Sequence, residues 1–238
     1  MSSALRIIVP ENFQAERNYI VEVIFNEFLG IDYHLSFEDI DCYKLVLPNH
    51  KKIIFQDHFF SKNTEEIGYL SINNIPEKVS FIKNNYSKES DLPVIYGSDL
   101  LHESEDVLQC GVDIFASSFF MLTRWEEYVN KERDKHQRFS AHSSLAYKNG
   151  FLQRPVVNEY VEMLWSMLQK MGFDEKRKER NFKWIITHDI DVLEKWSSIK
   201  KIFRTFLGDL FLRRDVFQAF RSLKSWIMTK LKLSKDPF

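Results

Sequence analysis

Phe182-Lys183-Trp184-Ile185-Ile186-Thr187-His188-Asp189-Ile190-Asp191 is the stretch on which the reading of the chain turns. Trp184, Ile185 and Ile186 form an aromatic and β-branched run, which predicts a buried strand over 182–191. Alternate side chains of a strand share a face, so Asp189 and Asp191 are expected to point the same way, roughly 6–7 Å apart along the chain. Two carboxylates brought together out of water repel each other, and a cation, a shared proton or a nearby Arg or Lys must offset that. Carboxylate oxygens suit a hard or borderline divalent metal. The C-terminal ends of parallel strands are also where α/β folds place their chemistry. His188 would face away from the two acids, as a core or supporting histidine rather than a ligand.

Upstream of this strand, Glu175 to Asn181 is a charged linker, and the domain boundary is placed here, giving domains 1–181 and 182–238. A helix is expected over 156–171, with Val157, Val161, Leu164, Leu168 and Met171 on one face and Gly172 as its cap. Residues 130–149 read as a charged loop; His136 and His142, six apart, do not meet as helix neighbours do. Ile114 to Tyr128 predicts a buried helix ending in Arg124, Glu126 and Glu127, either a salt-bridged helix end or part of a sugar or domain contact. Nearer the start, Arg6–Val9 predicts a strand and 14–29 a helix closed by Gly30. Tyr33–Phe37, Tyr43–Leu47, Lys52–Phe55, Ile67–Ile72 and Pro93–Tyr96 predict short strands. The fold class is therefore α/β: a small mixed α/β N-terminal domain, followed by the start of an incomplete (β/α) barrel.

Downstream, helical segments are expected through to Leu233. Leu193, Trp196, Ile199, Phe203 and Phe206 fit one apolar stripe, and Val216, Phe220, Leu223 and Ile227 another. Lys195 to Lys235 holds eleven Lys/Arg against Asp209 and Asp215, a local +9 in a chain of net charge −1. Such a run is either the wet face of helices packed on a barrel or a contact for an anionic membrane surface or a partner. Nucleic acid is not expected as a partner.

Hydrophobic residues at 44% and charged residues at 28% describe an ordinary globular protein, and 21 Phe against 7 Gly predicts an aromatic core with few glycine turns. Cys42 and Cys110 make neither a disulfide framework nor a metal-type pair, which fits a reducing compartment. The apolar run at the N-terminus is too short for a signal peptide, and Ile114–Thr123 falls short of the roughly 18–20 residues of a spanning helix. The expected location is the cytoplasm.

Thr187-His188-Asp189-Ile190-Asp191 resembles the first motif of the polysaccharide deacetylase, or NodB-homology, family. Asp113 to Tyr128, Arg138-Phe139 and Gly150-Phe151-Leu152 with Pro155 are similar to an uncharacterised domain found ahead of such deacetylases in bacteria. The resemblance implies a deformed (β/α) barrel that removes acetyl groups from sugars with a divalent metal, zinc or similar. It implies Asp189 as the general base and Asp191 as a metal ligand, with an acetylated polysaccharide or glycan as substrate. The family's other ligands are two His a helical turn apart. Here no two of the seven His are three or four residues apart, and the later motifs are absent. The sequence is accordingly expected to be the N-terminal part of a deacetylase, lacking the rest of its barrel, inactive and metal-free on its own. Three alternatives stay open: an Asp-x-Asp glycosyltransferase, an HD-type phosphohydrolase built on His188-Asp189, and a non-enzymatic partner- or glycan-binding module. The first lacks a glycine-rich phosphate loop upstream. The second would need a helix where Trp184–Thr187 argues for a strand.

Overall fold

The computed structural model describes residues 4–179, 181–189 and 194–237. The chain divides into two units, Met1–Arg180 and Asn181–Phe238.

The first unit is α/β, built on an open six-stranded mixed sheet of order β2-β1-β3-β4-β8-β7. Its strands are β1 (Leu5–Pro10), β2 (Tyr33–Glu38), β3 (Cys42–Val46), β4 (Lys52–Gln56), β7 (Gly97–Glu103) and β8 (Val107–Val112). β5 (Ser80–Lys83) and β6 (Asp91–Val94) form a separate antiparallel pair. β2 runs parallel to β1, and β8 parallel to β4, while β3 lies antiparallel between β1 and β4. β1, β2, β4 and β8 thus all point the same way, and their carboxyl ends share one edge of the sheet.

Strict alternation makes the sheet one-sided. Register sets Ile7, Leu45, Ile53 and Leu108 on one face, all buried, and Arg6, Val46, Lys52 and Val107 on the other. Helices cover the apolar face. α1 (Gln14–Glu22) runs on in π-helical turns through Val23–Leu29 and stops at Gly30, whose φ of 61° is the left-handed conformation that closes helices. α2 (Ile114–Thr123) is apolar almost all round and buried; its Phe115 ring stacks on Tyr43 of β3 at 4.3 Å and meets Phe55 of β4 edge-on at 5.6 Å. α3 (Trp125–Val129) follows after Arg124, so the single helix expected over 114–128 is two. Arg124 sits at φ 53°, outside helical geometry, and breaks it there. α4 (Leu145–Lys148) is one turn in the loop region, and α5 (Val156–Lys170) is the expected amphipathic helix, ended by Gly172 at φ 86°.

Three further sequence expectations are corrected. Ile67–Ile72 is not a strand: Gly68 at φ 72° turns the chain, Ile67 is exposed, and Ser71 caps a short 3-10 turn at Ile72–Asn74. The strand expected over Pro93–Tyr96 ends at Val94, and two strands the pattern did not announce, β7 and β8, follow it. The third correction concerns the opening stretch. Residues 182–189 form no strand; no other segment pairs with them among the described residues, and Trp184 is 83% exposed. β-propensity expresses itself on a pleated, half-buried surface, and here there is no sheet to provide one. Ile190 to Leu193, with Asp191, lie outside the described residues.

The second unit holds a helical hairpin. α6 (Ile199–Leu207) begins at Ser198, whose hydroxyl accepts the Lys201 N–H, and continues as π-helical turns through Gly208–Leu212. α7 (Val216–Lys230) begins at Asp215, which caps the Gln218 N–H. Asp209 is buried between them, bonded to Ser222 at 3.0 Å and to Arg213 at 2.6 Å. No helix among the described residues is long and apolar enough to cross a membrane.

Candidate functional site

The carboxyl ends of β1, β4 and β8 bring Asn12, Asp57 and Asp113 together at one sheet edge, and α1 sends Arg17 into them. Arg17 is fully buried, which for a guanidinium demands that its donors be met. It donates from Nε to the Asn12 carbonyl (2.7 Å) and from Nη1 to the Tyr43 hydroxyl (2.5 Å). Nη2 serves Asn12 Oδ1 (2.5 Å) and Asp57 Oδ2 (2.7 Å). The guanidinium plane lies over the rings of Tyr43 and Phe60, at 5.0 and 4.9 Å from their centroids.

Asp113 closes the arrangement. It is the N-cap of α2, its Oδ1 accepting from Ala116 N–H at 2.9 Å. Its Oδ2 accepts from the backbone N–H groups of His58 and Phe59 at 2.9 and 3.2 Å, so one carboxylate ties the end of β4 to the start of α2. Burial, and then the neighbouring charge of Asp57, push Asp113 up to about 7, against the three N–H donors that pull it down. Burial also raises Asp57, with Arg17 opposing. Asp57 Oδ1 is buried without a hydrogen-bond partner. Arg17 and Asp113 are both fully covered, and Asp57 is nearly so. The cluster is a strap that fixes the loop after β4.

That loop carries the groups that do reach solvent. A cleft of about 580 Å³ is lined by His58, Lys62, Asn63, Asn74, Lys78 and Tyr96, among others, and by no carboxylate. His58 Nε2 lies 2.8 Å from Lys62 Nζ. Burial first, and then Lys62, lower the His58 pKa, so its imidazole is neutral at pH 7 and accepts from the ammonium. Asn74 donates to the Tyr69 carbonyl and to Asn63 Oδ1, both at 2.9 Å, and the Tyr96 hydroxyl donates to the Asn74 carbonyl at 2.9 Å. Asn74 thus spends both of its amide N–H groups inside the fold, and what the cleft offers a polar or anionic ligand is the charge of Lys62 and Lys78.

The motif residues read from the sequence are placed differently. His188 and Asp189 are both exposed, so His188 is not the core histidine expected of a strand. Asp191 lies outside the described residues, and the face shared by the two acids cannot be drawn from Asp189 alone. Among the described residues, no group of three or more His, Cys, Asp or Glu could hold a metal ion. Arg124 pairs with Glu127, as the salt-bridged helix end requires, but Glu126 is buried and accepts the Leu145 N–H at 2.6 Å, anchoring the loop that follows. His136 is exposed, and His142 packs edge-on against Tyr147 at 4.4 Å.

Asp57, His58 and Asp113 escaped the sequence reading as a group, although each carried a signal. Asp113 stands between an alternating apolar run, Leu108, Cys110 and Val112, and a helix start, the position of an N-cap. Asp57 and His58 follow directly on a strand that was read correctly.

Residues 5–172 match a family described as a family of unknown function, DUF7033. The chain belongs to that family. The matched span runs from the first residue of β1 to just beyond α5, so the Arg17 cluster and the cleft both fall inside it, and Thr187–Asp191 falls outside. No curated protein and no solved structure matches the chain.

Proposed function

We propose that the chain serves a metal-dependent carbohydrate deacetylase. In this reading residues 5–172 form an accessory domain that holds the acetylated glycan. Asp189 is the general base and Asp191 one metal ligand of a centre whose remaining ligands lie outside this sequence. The observation that carries the reading is the state of Trp184, Ile185 and Ile186. Three β-prone apolar side chains, 79–83% exposed, lead directly into Thr187-His188-Asp189-Ile190-Asp191. An apolar run of this kind is costly in water and gains most from strands on either side. Supplied with them, it would become the buried strand that the two aspartates require. Cys42 and Cys110 are free, which suits the cytoplasm as the place of work.

The first test is to read the genomic sequence beyond codon 238 for a His-x-x-x-His pair. In the protein that carries it, acetate release from acetylated oligosaccharides and zinc binding by titration calorimetry are measured. Asp191→Ala is expected to abolish zinc binding; Asp189→Asn is expected to keep zinc and lose turnover by a factor of about 10² or more. Absence of the pair, or wild-type turnover in either variant, overturns the reading.

A binding-only role has its own support in the cleft at His58 and Lys62, which sets the Lys62 and Lys78 ammonium groups in a wall with no carboxylate. Glycan affinity that falls on Lys62→Ala, in a protein that never releases acetate, would favour it.

A further inference from the structure

The α6–α7 hairpin presents an apolar face ringed by cations that nothing in the first unit's chemistry uses. On α6, Ile199, Phe203, Phe206 and Leu207 recur at helical spacing, and Ile199, Phe203 and Leu207 are exposed. On α7, Val216, Phe220, Leu223 and Ile227 do the same. The two stripes are one surface, because the Phe206 and Phe220 rings meet edge-on at 5.9 Å. Phe217, beside them, is 92% exposed. The hairpin's own packing uses little apolar material: Trp196, Ile202 and Ala219 are its only buried hydrophobic residues among those described.

Charge decides what such a face meets. Lys200, Arg204, Arg221, Lys224 and Lys230 have no carboxylate partner among the described residues. Asp209, the one buried acid among the described residues of the second unit, is already taken by Arg213 and Ser222. Helical positions place Lys200 beside Leu207 on α6, and Lys224 and Arg221 beside Phe217 on α7, along the flank of the apolar stripes. Long cationic side chains in that position lay their methylenes on apolar surface and reach outward with the charge. An apolar protein partner would leave these five charges buried and unpaired, at a cost. A bilayer accepts both halves: acyl chains take the rings, and anionic headgroups take the cations.

We propose that the α6–α7 hairpin docks on a membrane surface rich in anionic phospholipid, lying in the headgroup region without spanning it. The inference rests on the hairpin's own apolar face and cations, and its readout is lipid binding rather than acetate release.

The test is sedimentation of the full chain with vesicles of phosphatidylcholine alone and with 30% phosphatidylglycerol (a chosen probe composition), at about 0.1 M salt and again at 0.5 M. Binding to the anionic vesicles, weak binding to the neutral ones and release at high salt are expected. Lys200→Gln/Arg204→Gln/Lys224→Gln should weaken partition by about a hundredfold, about fivefold for each cation near the surface. Phe203→Ser/Phe220→Ser alters only exposed side chains and should weaken it at least tenfold; circular dichroism checks that the helices persist. Equal binding to both vesicle types, no binding to either, or binding that survives both sets of substitutions overturns the proposal. Activity of any catalytic centre plays no part in the readout.

Discussion

Arg17 shows what a single side chain is worth when it is wholly enclosed. Arg17→Met leaves Asp57 buried without its cation, and a loss of about 3–5 kcal/mol is expected by urea denaturation. Arg17→Met/Asp57→Leu removes both charges and should recover much of that loss; equal instability of the single and double variants would refute the ion-pair account. Asp113 adds a pH dependence whose sign follows from its raised pKa. The folded state keeps this proton up to about 7, whereas the ordinary value is 3.8. Between those values the folded state binds more protons than the unfolded chain, so this group's contribution is full below about 4 and fades as pH rises towards 7. The steepest loss is about 1.4 kcal/mol per pH unit. Unfolding free energies measured from pH 4 to 8 should show it, and Asp113→Asn should flatten the slope while lowering stability throughout, since the amide nitrogen cannot accept the His58 and Phe59 N–H groups.

Among the elements, the start of β7 is tightly constrained where it pairs antiparallel with β8. Gly97 has φ 105°, and a Cβ there would collide with the Gly111 carbonyl and the Asp113 amide nitrogen. Gly97→Ala should therefore cost about 2 kcal/mol or more, read as a fall in Tm, by straining the backbone that also holds Asp113. Local patterns made much of this architecture legible. Ile7, Val9, Tyr43, Leu45, Ile53 and Phe55 alternate as core-facing strand residues must, and Tyr19 to Phe28 keep a helix's spacing up to Gly30. β8 was passed over although Leu108, Cys110 and Val112 alternate, because Gly111 beside them lowers the segment's strand propensity, and β7 because Ser98, Asp99 and His102 disguise it as a loop. The stretch at 182–189 failed for a different reason. Its composition states a preference that only neighbouring strands can satisfy, and composition does not say whether they are present. The strap at Arg17, Asp57 and Asp113 was out of reach because three distant segments meet there through register rather than spacing.

At the scale of the molecule, the two units differ in how they are held. Every residue of the main apolar core lies between Leu5 and Phe173. A fragment of residues 4–180 is thus expected to unfold in one cooperative calorimetric transition with a Tm within a few degrees of that unit in the full chain. A fragment that fails to fold would show that the second unit contributes to the first unit's stability. Brief digestion with chymotrypsin should cut first after Phe182 or Trp184, where the backbone is exposed and unpaired, and release the first unit intact. Initial cleavage inside β1–β4 would contradict this order of stability. The resemblance to deacetylases spans both units, whereas the family match spans only the first. The first unit and the aspartate motif therefore have to be tested separately, one by ligand affinity and the other by metal and turnover.

Trp184 has one more consequence. Trp125, Trp165 and Trp196 are buried and Trp226 is partly covered, so a single indole stands open to solvent. Excited at its red edge, that indole should report selectively, its emission near that of free tryptophan and readily quenched by acrylamide. Whatever comes to lie against residues 182–189, a completing strand or another molecule, would announce itself as a blue shift and a loss of quenching, with no dye attached.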